Sequence, residues 1–214
     1  MPIEGDLWAV VADAPLDRFA GEQLQEDLQD VEAISRHAVA HAAVIEFFFR
    51  GAPVIPLKLF TLFSSDERLR EHLQSRRTRF RRLFGELRGL EEWGVRVVVG
   101  QVEHDAAPSL KSGRAYLQVK KRLNDQNAAP SPSAMKDANS ALKRLGRMAS
   151  KLRKDAFPPA ARGRPFVSGA SFLVKAARRN QWKTEVATLT AALANRGHRL
   201  EVTGPWPPYH FVSG

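Results

Sequence analysis

The sequence contains no cysteine in its 214 residues. This absence excludes disulfide bonds, thiolate nucleophiles and cysteine-ligated metal sites. Long apolar runs are also missing, because the longest candidate, Ala38–Phe49, contains His41 and Glu46 and is shorter than the roughly 20 residues that a membrane-spanning helix needs. The first residues lack the basic region and the apolar stretch of a signal peptide. We therefore expect a soluble cytoplasmic protein.

Catalytic motifs are equally scarce. The sequence has neither a nucleophile elbow nor a glycine-rich phosphate loop. Glu91 and Glu92 are adjacent near the predicted end of a helix, where neighbouring side chains point apart and form no carboxylate dyad. His37 and His41 lie four residues apart on one predicted helix and could reach one metal ion, but no third ligand accompanies them. We therefore predict no catalytic residue, no cofactor and no bound metal.

Acidic residues are unevenly distributed in a chain whose formal net charge is +10. Residues 1–63 carry ten acids and four bases, residues 64–160 carry eleven acids and 21 bases, and residues 161–214 carry two acids and eight bases. This asymmetry suggests complementary surfaces, either between domains or towards an acidic partner, although a charged helix face is more often simply solvated. The densest basic run supplies the candidate partner-binding residues Arg76, Arg77, Arg79, Arg81 and Arg82.

The same positive charge makes nucleic-acid binding the alternative function. No helix-turn-helix, zinc finger or aromatic RNA-binding strand motif accompanies the charge. The chain has two tyrosines, and its aromatic residues fall mostly on predicted apolar faces, which is typical of core packing and not of base stacking.

The first 92 residues predict a mixed domain of strands and helices. Leu7–Val11 is typical of a short strand, and apolar residues at spacings of three and four predict a helix over Val31–Phe49. Val54–Phe60 is extended and interrupted by proline, which favours an edge strand or an irregular β segment. Ser64, with an acidic residue three positions later, has capping-box spacing and begins a helix that runs to about Gly89.

The remaining residues predict strands alternating with helices. The predicted elements are a strand at Val95–Val99, a helix at about Gly113–Asn127, a helix capped by Ser133 with an apolar seam that continues to Leu152, a strand at Phe166–Val174, a helix at about Asn180–Asn195 and a strand at His198–Thr203. This order is typical of a ferredoxin-like sheet with an inserted helix. One strand of the usual four is missing, and Gln101–Asp105 supplies part of it only weakly.

We therefore predict an α+β protein of two domains. The N-terminal domain covers residues 1–92, and the ferredoxin-like domain covers residues 93–204 with a helical insertion at about 112–155. Residues 205–214 form a tail rich in proline and aromatic residues: Pro205, Trp206, Pro207, Pro208, Tyr209 and Phe211. Because prolines limit backbone freedom and aromatic rings are unfavourable in water, we predict that this tail packs at the domain junction with Trp206 as its main anchor. The alternative is that the tail is itself a docking surface.

The C-terminal segment Thr203–Phe211 resembles the terminal signature of the GvpF/GvpL family of gas vesicle proteins. Five further segments resemble parts of that family in the same order: Asp13–Leu16, His41–Val44, Val54–Phe63, Glu92–Val97 and Gly113–Leu117. Each segment alone is modest evidence. Six segments in order, ending in Gly-Pro-Trp-Pro-Pro-Tyr, are specific and cover nearly the whole chain.

The resemblance implies a function in assembling gas vesicles, which are hollow protein shells that give cells buoyancy. Family members bind the small, hydrophobic, aggregation-prone shell subunit and are minor components of the vesicle. The resemblance therefore implies an assembly factor and not an enzyme, located in the cytoplasm and at the gas vesicle. Its implied partners are the shell subunit and other gas vesicle proteins, with no membrane, and no active site carries over.

Two features depart from the family pattern. Family members usually begin with a further strand and loop, so the start codon is misassigned or the N-terminal sheet lacks its first strand. Lys58 and Phe60 stand where arginine and glycine are expected. Because glycine tolerates backbone angles that phenylalanine does not, we expect altered backbone geometry around Phe60.

Overall fold

The computed structural model describes residues 1–19, 21–99, 130–154 and 166–212. The chain divides into two compact units, Met1–Arg88 and Gly89–Gly214. The boundary precedes the predicted one between residues 92 and 93, because residues 90–92 already belong to a strand of the second unit.

The N-terminal unit begins with an antiparallel hairpin of β1 (Pro2–Glu4) and β2 (Leu7–Trp8). The helices described in this unit are α1 (Leu16–Phe19), α2 (Gly21–Gln29), α3 (Val31–Phe49), α4 (Asp66–Ser75) and α5 (Arg77–Leu87). Ile3 and Leu7 of the hairpin are buried in one cluster with apolar side chains of α4 and α5: Leu69, Leu73 and Phe80. The hairpin and these two helices therefore share a small core.

Helix α3 has the predicted bounds, Val31–Phe49. The side chain of Asp30 caps its first turn by accepting a hydrogen bond of 2.8 Å from the backbone N–H of Glu32, which satisfies one of the unpaired donors at a helix start. The helix ends before Gly51, as predicted.

The single long helix predicted from Ser64 to Gly89 is wrong, because the structure has two helices there. Arg76 leaves the helical region with φ −110° and ψ 10° and separates α4 from α5. The cap is Ser65 and not Ser64: its backbone is extended, and its Oγ accepts from the backbone N–H of Arg68 at 3.3 Å. The apolar spacing continues across the break, so the sequence pattern did not reveal it.

The proline-interrupted segment at residues 54–60 forms no strand in the structure. Phe60 has φ +60°, which lies in the left-handed region of backbone conformation. Residues other than glycine adopt this region at a cost of roughly 1–2 kcal/mol. The turn is closed by Thr61, whose backbone N–H and Oγ both donate to the carbonyl of Lys58, at 3.2 and 2.6 Å. The position where glycine was expected thus does have the backbone angle that favours glycine.

The C-terminal unit contains a four-stranded antiparallel sheet with the order β4-β5-β3-β6 among the described residues. Its elements are β3 (Leu90–Val99), α6 (Pro132–Gly146), β4 (Lys151–Lys154), β5 (Phe166–Lys175), a 3₁₀ turn at Ala176–Arg178, α7 (Arg179–Ala194), β6 (His198–Trp206) and a 3₁₀ turn at Tyr209–Phe211. The strands and helices follow one another as strand, helix, strand, strand, helix, strand, which is the order of a ferredoxin-like domain. The predicted fold class is therefore confirmed.

The strand missing from the prediction is β4, which pairs with β5 from Lys151 to Lys154. The sequence had assigned this segment to the end of a helix through Leu152, but α6 ends at Gly146. Its cap is Ser131 and not Ser133, with Oγ accepting from the backbone N–H of Ala134 at 3.2 Å. The predicted segments Gln101–Asp105 and Gly113–Asn127 lie outside the described residues.

The core of the C-terminal unit lies between one face of the sheet and the helices α6 and α7. Trp182 of α7 is fully buried, and its ring lies 5.2 Å from that of Phe172 and 6.2 Å from that of Trp93, between centroids. Helix α6 contributes a face of small and branched side chains: Ala134, Ala138, Ala141, Leu142 and Leu145. Helix α6, which lies in the segment predicted to be an insertion, is thus one of the two helices that cover the sheet.

Replacing Leu142 with alanine tests this packing. Leu142 is 1 % exposed, so we expect Leu142→Ala to lower the free energy of unfolding by about 2–5 kcal/mol, through lost burial and a residual cavity. The measurement is urea unfolding followed by circular dichroism. Met135 lies on the same helix at 39 % exposure, so Met135→Ala is the matched control and changes stability by about 0.5 kcal/mol or less. Equal losses in both variants would contradict the assigned core face.

Candidate partner-binding surfaces

The five predicted arginines, called the arginine stripe here, begin at the junction of α4 and α5 and continue along α5. The buried side of α5 carries Phe80, Leu83 and Leu87. The stripe lies on the other sides of the helix, with four members exposed and one half-buried: Arg76, Arg77, Arg81 and Arg82 are exposed, and Arg79 is half-buried. The division of this helix into an apolar and a basic side follows the sequence prediction.

Part of the arginine stripe faces an acidic residue of its own N-terminal unit. Arg77 and Arg81 lie one helical turn apart, and their guanidinium groups are 3.7 and 3.8 Å from the carboxylate of Glu4. More than half of each arginine side chain is exposed, so such pairs add little stability. Arg82 also lies 3.7 Å from the carboxylate of Glu86, so two carboxylates face five arginines and the stripe keeps a net positive charge.

His37 and His41 each contact other groups of the N-terminal unit. The ring of His37 lies between the rings of Phe19 and Phe60, with centroids at 5.5 and 5.4 Å. His41 Nε2 is 3.1 Å from the carbonyl oxygen of Leu57. Within the described ranges, no group of three or more potential ligands surrounds either ring. Both histidines therefore position the 54–60 segment against α3.

The placement of Glu91 and Glu92 near a helix end is wrong, because both belong to strand β3. Successive side chains of a strand point to opposite faces of the sheet. On one face, Arg179 at the start of α7 donates from Nε to Glu91 at 3.1 Å, and this hydrogen bond raises the pKa of Arg179. Glu92 points to the other face, where the C-terminal tail lies.

The tail is held to the sheet by the buried carboxylate of Glu92, which is 2 % exposed. The backbone N–H of His210 donates to Glu92 Oε2 at 2.9 Å, and His210 Nδ1 contacts Oε1. Ser171 Oγ lies 3.3 Å from the same ring nitrogen, and Arg153 of β4 donates to the carbonyl of His210. The 3₁₀ turn at the end of the chain is therefore joined to three strands of the sheet.

The prediction that Trp206 anchors the tail is wrong. Trp206 is the last residue of β6 and is 40 % exposed, whereas the following Pro207 and Pro208 are buried. Gly204 permits a close approach of β6 to β3: its φ is +119°, and a Cβ there would lie 2.7 Å from the carbonyl oxygen of Glu92. The contacts described above lie within the C-terminal unit, and packing at the domain junction stays a prediction.

Neither Glu92 nor His210 is among the predicted site residues. A glutamate followed by tryptophan and glycine also fits the end of a helix. The sequence alone therefore did not show that Glu92 lies in a strand with its carboxylate buried. For His210 the available signal was its position inside the aromatic signature that ends the chain.

Helix α3 also presents an exposed apolar surface that the sequence did not predict. The predicted inward face is largely correct, since Ile45 is buried and Ile34, Ala38, Ala42 and Phe49 are half-buried, but Val31 is exposed. On another side the helix exposes the residues called the apolar stripe here: Val39, Ala40, Ala43, Val44, Phe47 and Phe48. No helix in the described part of the chain combines the length and apolar character needed to cross a membrane.

Removing the charge of Glu92 tests how the tail is held. Glu92→Gln keeps the shape of the side chain but weakens a buried hydrogen bond to a charged group, so we expect the free energy of unfolding to fall by about 2–3 kcal/mol. Hydrogen exchange at the His210 amide, which donates to Glu92, should accelerate. Glu201→Gln on β6 is the control, because Glu201 is partly exposed and pairs with Arg199 at the surface. An unchanged exchange rate at His210 in Glu92→Gln would contradict this role.

The fold has close counterparts among solved structures. The crystal structure of the gas vesicle protein GvpF from Anabaena sp. PCC7120 superposes with a TM-score of 0.60 at 14 % identity, covering 84 % of this chain and 76 % of that one. The corresponding protein from Microcystis aeruginosa gives a TM-score of 0.57 at 13 % identity, covering 84 % of this chain and 78 % of that one. At these identities the comparison shows a shared fold.

The sequence itself matches over almost its full length. Gas vesicle protein L from Streptomyces sp. (strain CB03234) is 32 % identical over 222 aligned residues, covering 97 % of this chain and 80 % of the relative. Residues 3–213 match the family described as gas vesicle synthesis protein GvpL/GvpF. No comparison supports the nucleic-acid alternative. The chain belongs to the GvpL/GvpF family of gas vesicle synthesis proteins.

Proposed function

We propose that this protein is an assembly factor that binds the hydrophobic shell subunit and supports the formation of gas vesicles. The observation that carries the proposal is the family match over residues 3–213. The proposed partners are the shell subunit and other gas vesicle proteins, and the proposed locations are the cytoplasm and the gas vesicle. Its function is proposed to be binding, with no catalytic step.

The surfaces of the N-terminal unit support this function. A small apolar subunit that assembles into a wall must be kept from aggregating before insertion, which requires a binding protein with exposed apolar area. Contiguous apolar patches on otherwise charged surfaces commonly mark protein interaction sites. Helix α3 carries such a patch.

The arginine stripe is proposed as a second, ionic contact surface. Its exposed guanidinium groups extend from α5, and Glu4 faces two of them. The remaining positive charge is complementary to an acidic partner, which we propose to be another gas vesicle protein. Long-range attraction of this kind raises association rates and weakens with salt.

Deleting the gene is expected to abolish or shrink gas vesicles and to leave metabolism unaffected.

The full chain with an affinity tag, co-expressed with the shell subunit, should retain that subunit on purification. The measurement is the ratio of subunit to tagged protein in the eluate, with an unrelated tagged protein of similar charge as the control. Absence of the shell subunit, at a ratio equal to the control, would overturn the proposed function.

Charge reversal within the arginine stripe separates its two possible partners. Arg76 and Arg82 do not face Glu4, and the pair of Arg82 with Glu86 is exposed and adds little stability. We therefore expect Arg76→Glu/Arg82→Glu to weaken retention of acidic gas vesicle proteins by about tenfold or more while changing stability little. Arg77→Glu/Arg81→Glu brings two carboxylates towards Glu4 and should also lower the melting temperature slightly.

The measurements are co-purification at low and high salt and thermal unfolding of each variant. If both double variants retain every partner at low salt with unchanged melting temperatures, the stripe is only a solvated surface.

A further inference from the structure

The apolar stripe on α3 consists of two parallel rows of side chains. Residues four apart lie next to each other along a helix surface, so Val39, Ala43 and Phe47 form one row. Ala40, Val44 and Phe48 form the adjacent row. Each of these six residues is exposed, and Val39 and Phe47 are each 70 % exposed.

The rows occupy the second half of the helix and contain no charged residue. Upstream on the exposed side are Glu32 and Arg36, which pair with each other at 3.3 Å. Glu46, the one charged residue between positions 39 and 48, is half-buried and belongs to neither row. The six residues therefore form an uncharged patch in a chain with 26 % charged residues.

The shape of the stripe favours a helix as its occupant. Two adjacent rows of residues four apart form ridges with a groove between them, and a ridge of another helix packs into such a groove. Ala40 and Ala43 lie side by side between the larger Val39, Val44 and Phe47, so the groove is deepest there and admits a close approach. Ten residues at about 1.5 Å each give a contact about 15 Å long, or nearly three turns of a partner helix.

The size and the absence of charge narrow the occupant further. The four large side chains are between 42 % and 70 % exposed, and together they form a patch of the order of the largest apolar patches on monomers, about 300–600 Å². A stable protein dimer buries about 800 Å² on each partner, so the stripe alone is too small for a permanent pairing of two copies. It suits reversible contact with an uncharged helix, which a strongly hydrophobic subunit can supply.

We propose that the apolar stripe of α3 is the docking site for an uncharged, apolar helix of the shell subunit. This inference rests on the proposed function and names the surface that performs it. The arginine stripe lies on a different helix of the same unit, so apolar and ionic contacts are separable by mutation.

The test is co-purification of the tagged full chain with co-expressed shell subunit. Phe47→Glu places a charge on the largest exposed side chain of one row, at its C-terminal end, and we expect about thirtyfold less subunit to be retained, as for a hot-spot residue. Retention by the unmodified protein should persist at about 1 M NaCl, because apolar contacts are not screened by salt. Phe47→Ser is the milder second variant and should reduce retention in the same direction.

The control is Gln25→Glu, which adds the same charge at an exposed position of helix α2, outside both rows. It should retain the subunit fully, and circular dichroism with thermal unfolding should show all variants folded. Full retention by both Phe47 variants, beside an unmodified protein that binds, would overturn the assigned surface and leave the proposed function standing. No retention by the unmodified protein would instead overturn the proposed function and the inference together. Sedimentation that shows a dimer lost in Phe47→Glu would assign the stripe to a second copy and overturn the inference.

Discussion

The C-terminal unit depends on the central strand β3, which pairs with β5 on one side and β6 on the other. Its alternating side chains serve two different layers. Trp93, Val95 and Val97 face the helices and are buried in the main core, whereas Glu92 faces the C-terminal tail. A polar anchor on one face and an apolar core on the other fix the register of the strand, because a slip of one residue would exchange the two faces.

Periodicity predicted those elements in which one local pattern dominates. Helix α3 and the strands β5 and β6 have nearly their predicted positions, because apolar spacing defines each of them and Gly51 follows the end of α3. Strand β4 could not be predicted because Leu152 fits a helical seam as well as a strand, and its pairing with Phe172 depends on residues distant in sequence. The break at Arg76 was hidden for a related reason: the apolar spacing on α4 and α5 continues through it.

The candidate surfaces were predictable to different degrees. The exposure of the arginine stripe follows from the apolar residues between its members, which must face inward. Its approach to Glu4 is a tertiary contact and has no local signal. The apolar stripe was hidden because a helix that is apolar on most sides is normally buried, and α3 differs by leaving one such side exposed. Phe60 shows the opposite case, since a single departure from the expected glycine indicated an unusual backbone angle that the structure has.

Strand β4 has a further consequence for how the molecule behaves beside other chains. It lies at the edge of the described sheet, all four of its residues are exposed, and three of them are basic: Lys151, Arg153 and Lys154. A foreign strand that paired with this edge would have to approach a row of positive charges, and short, lysine-bearing edges are a common defence against such pairing. This edge of the described sheet is thus a poor template for the growth of foreign strands.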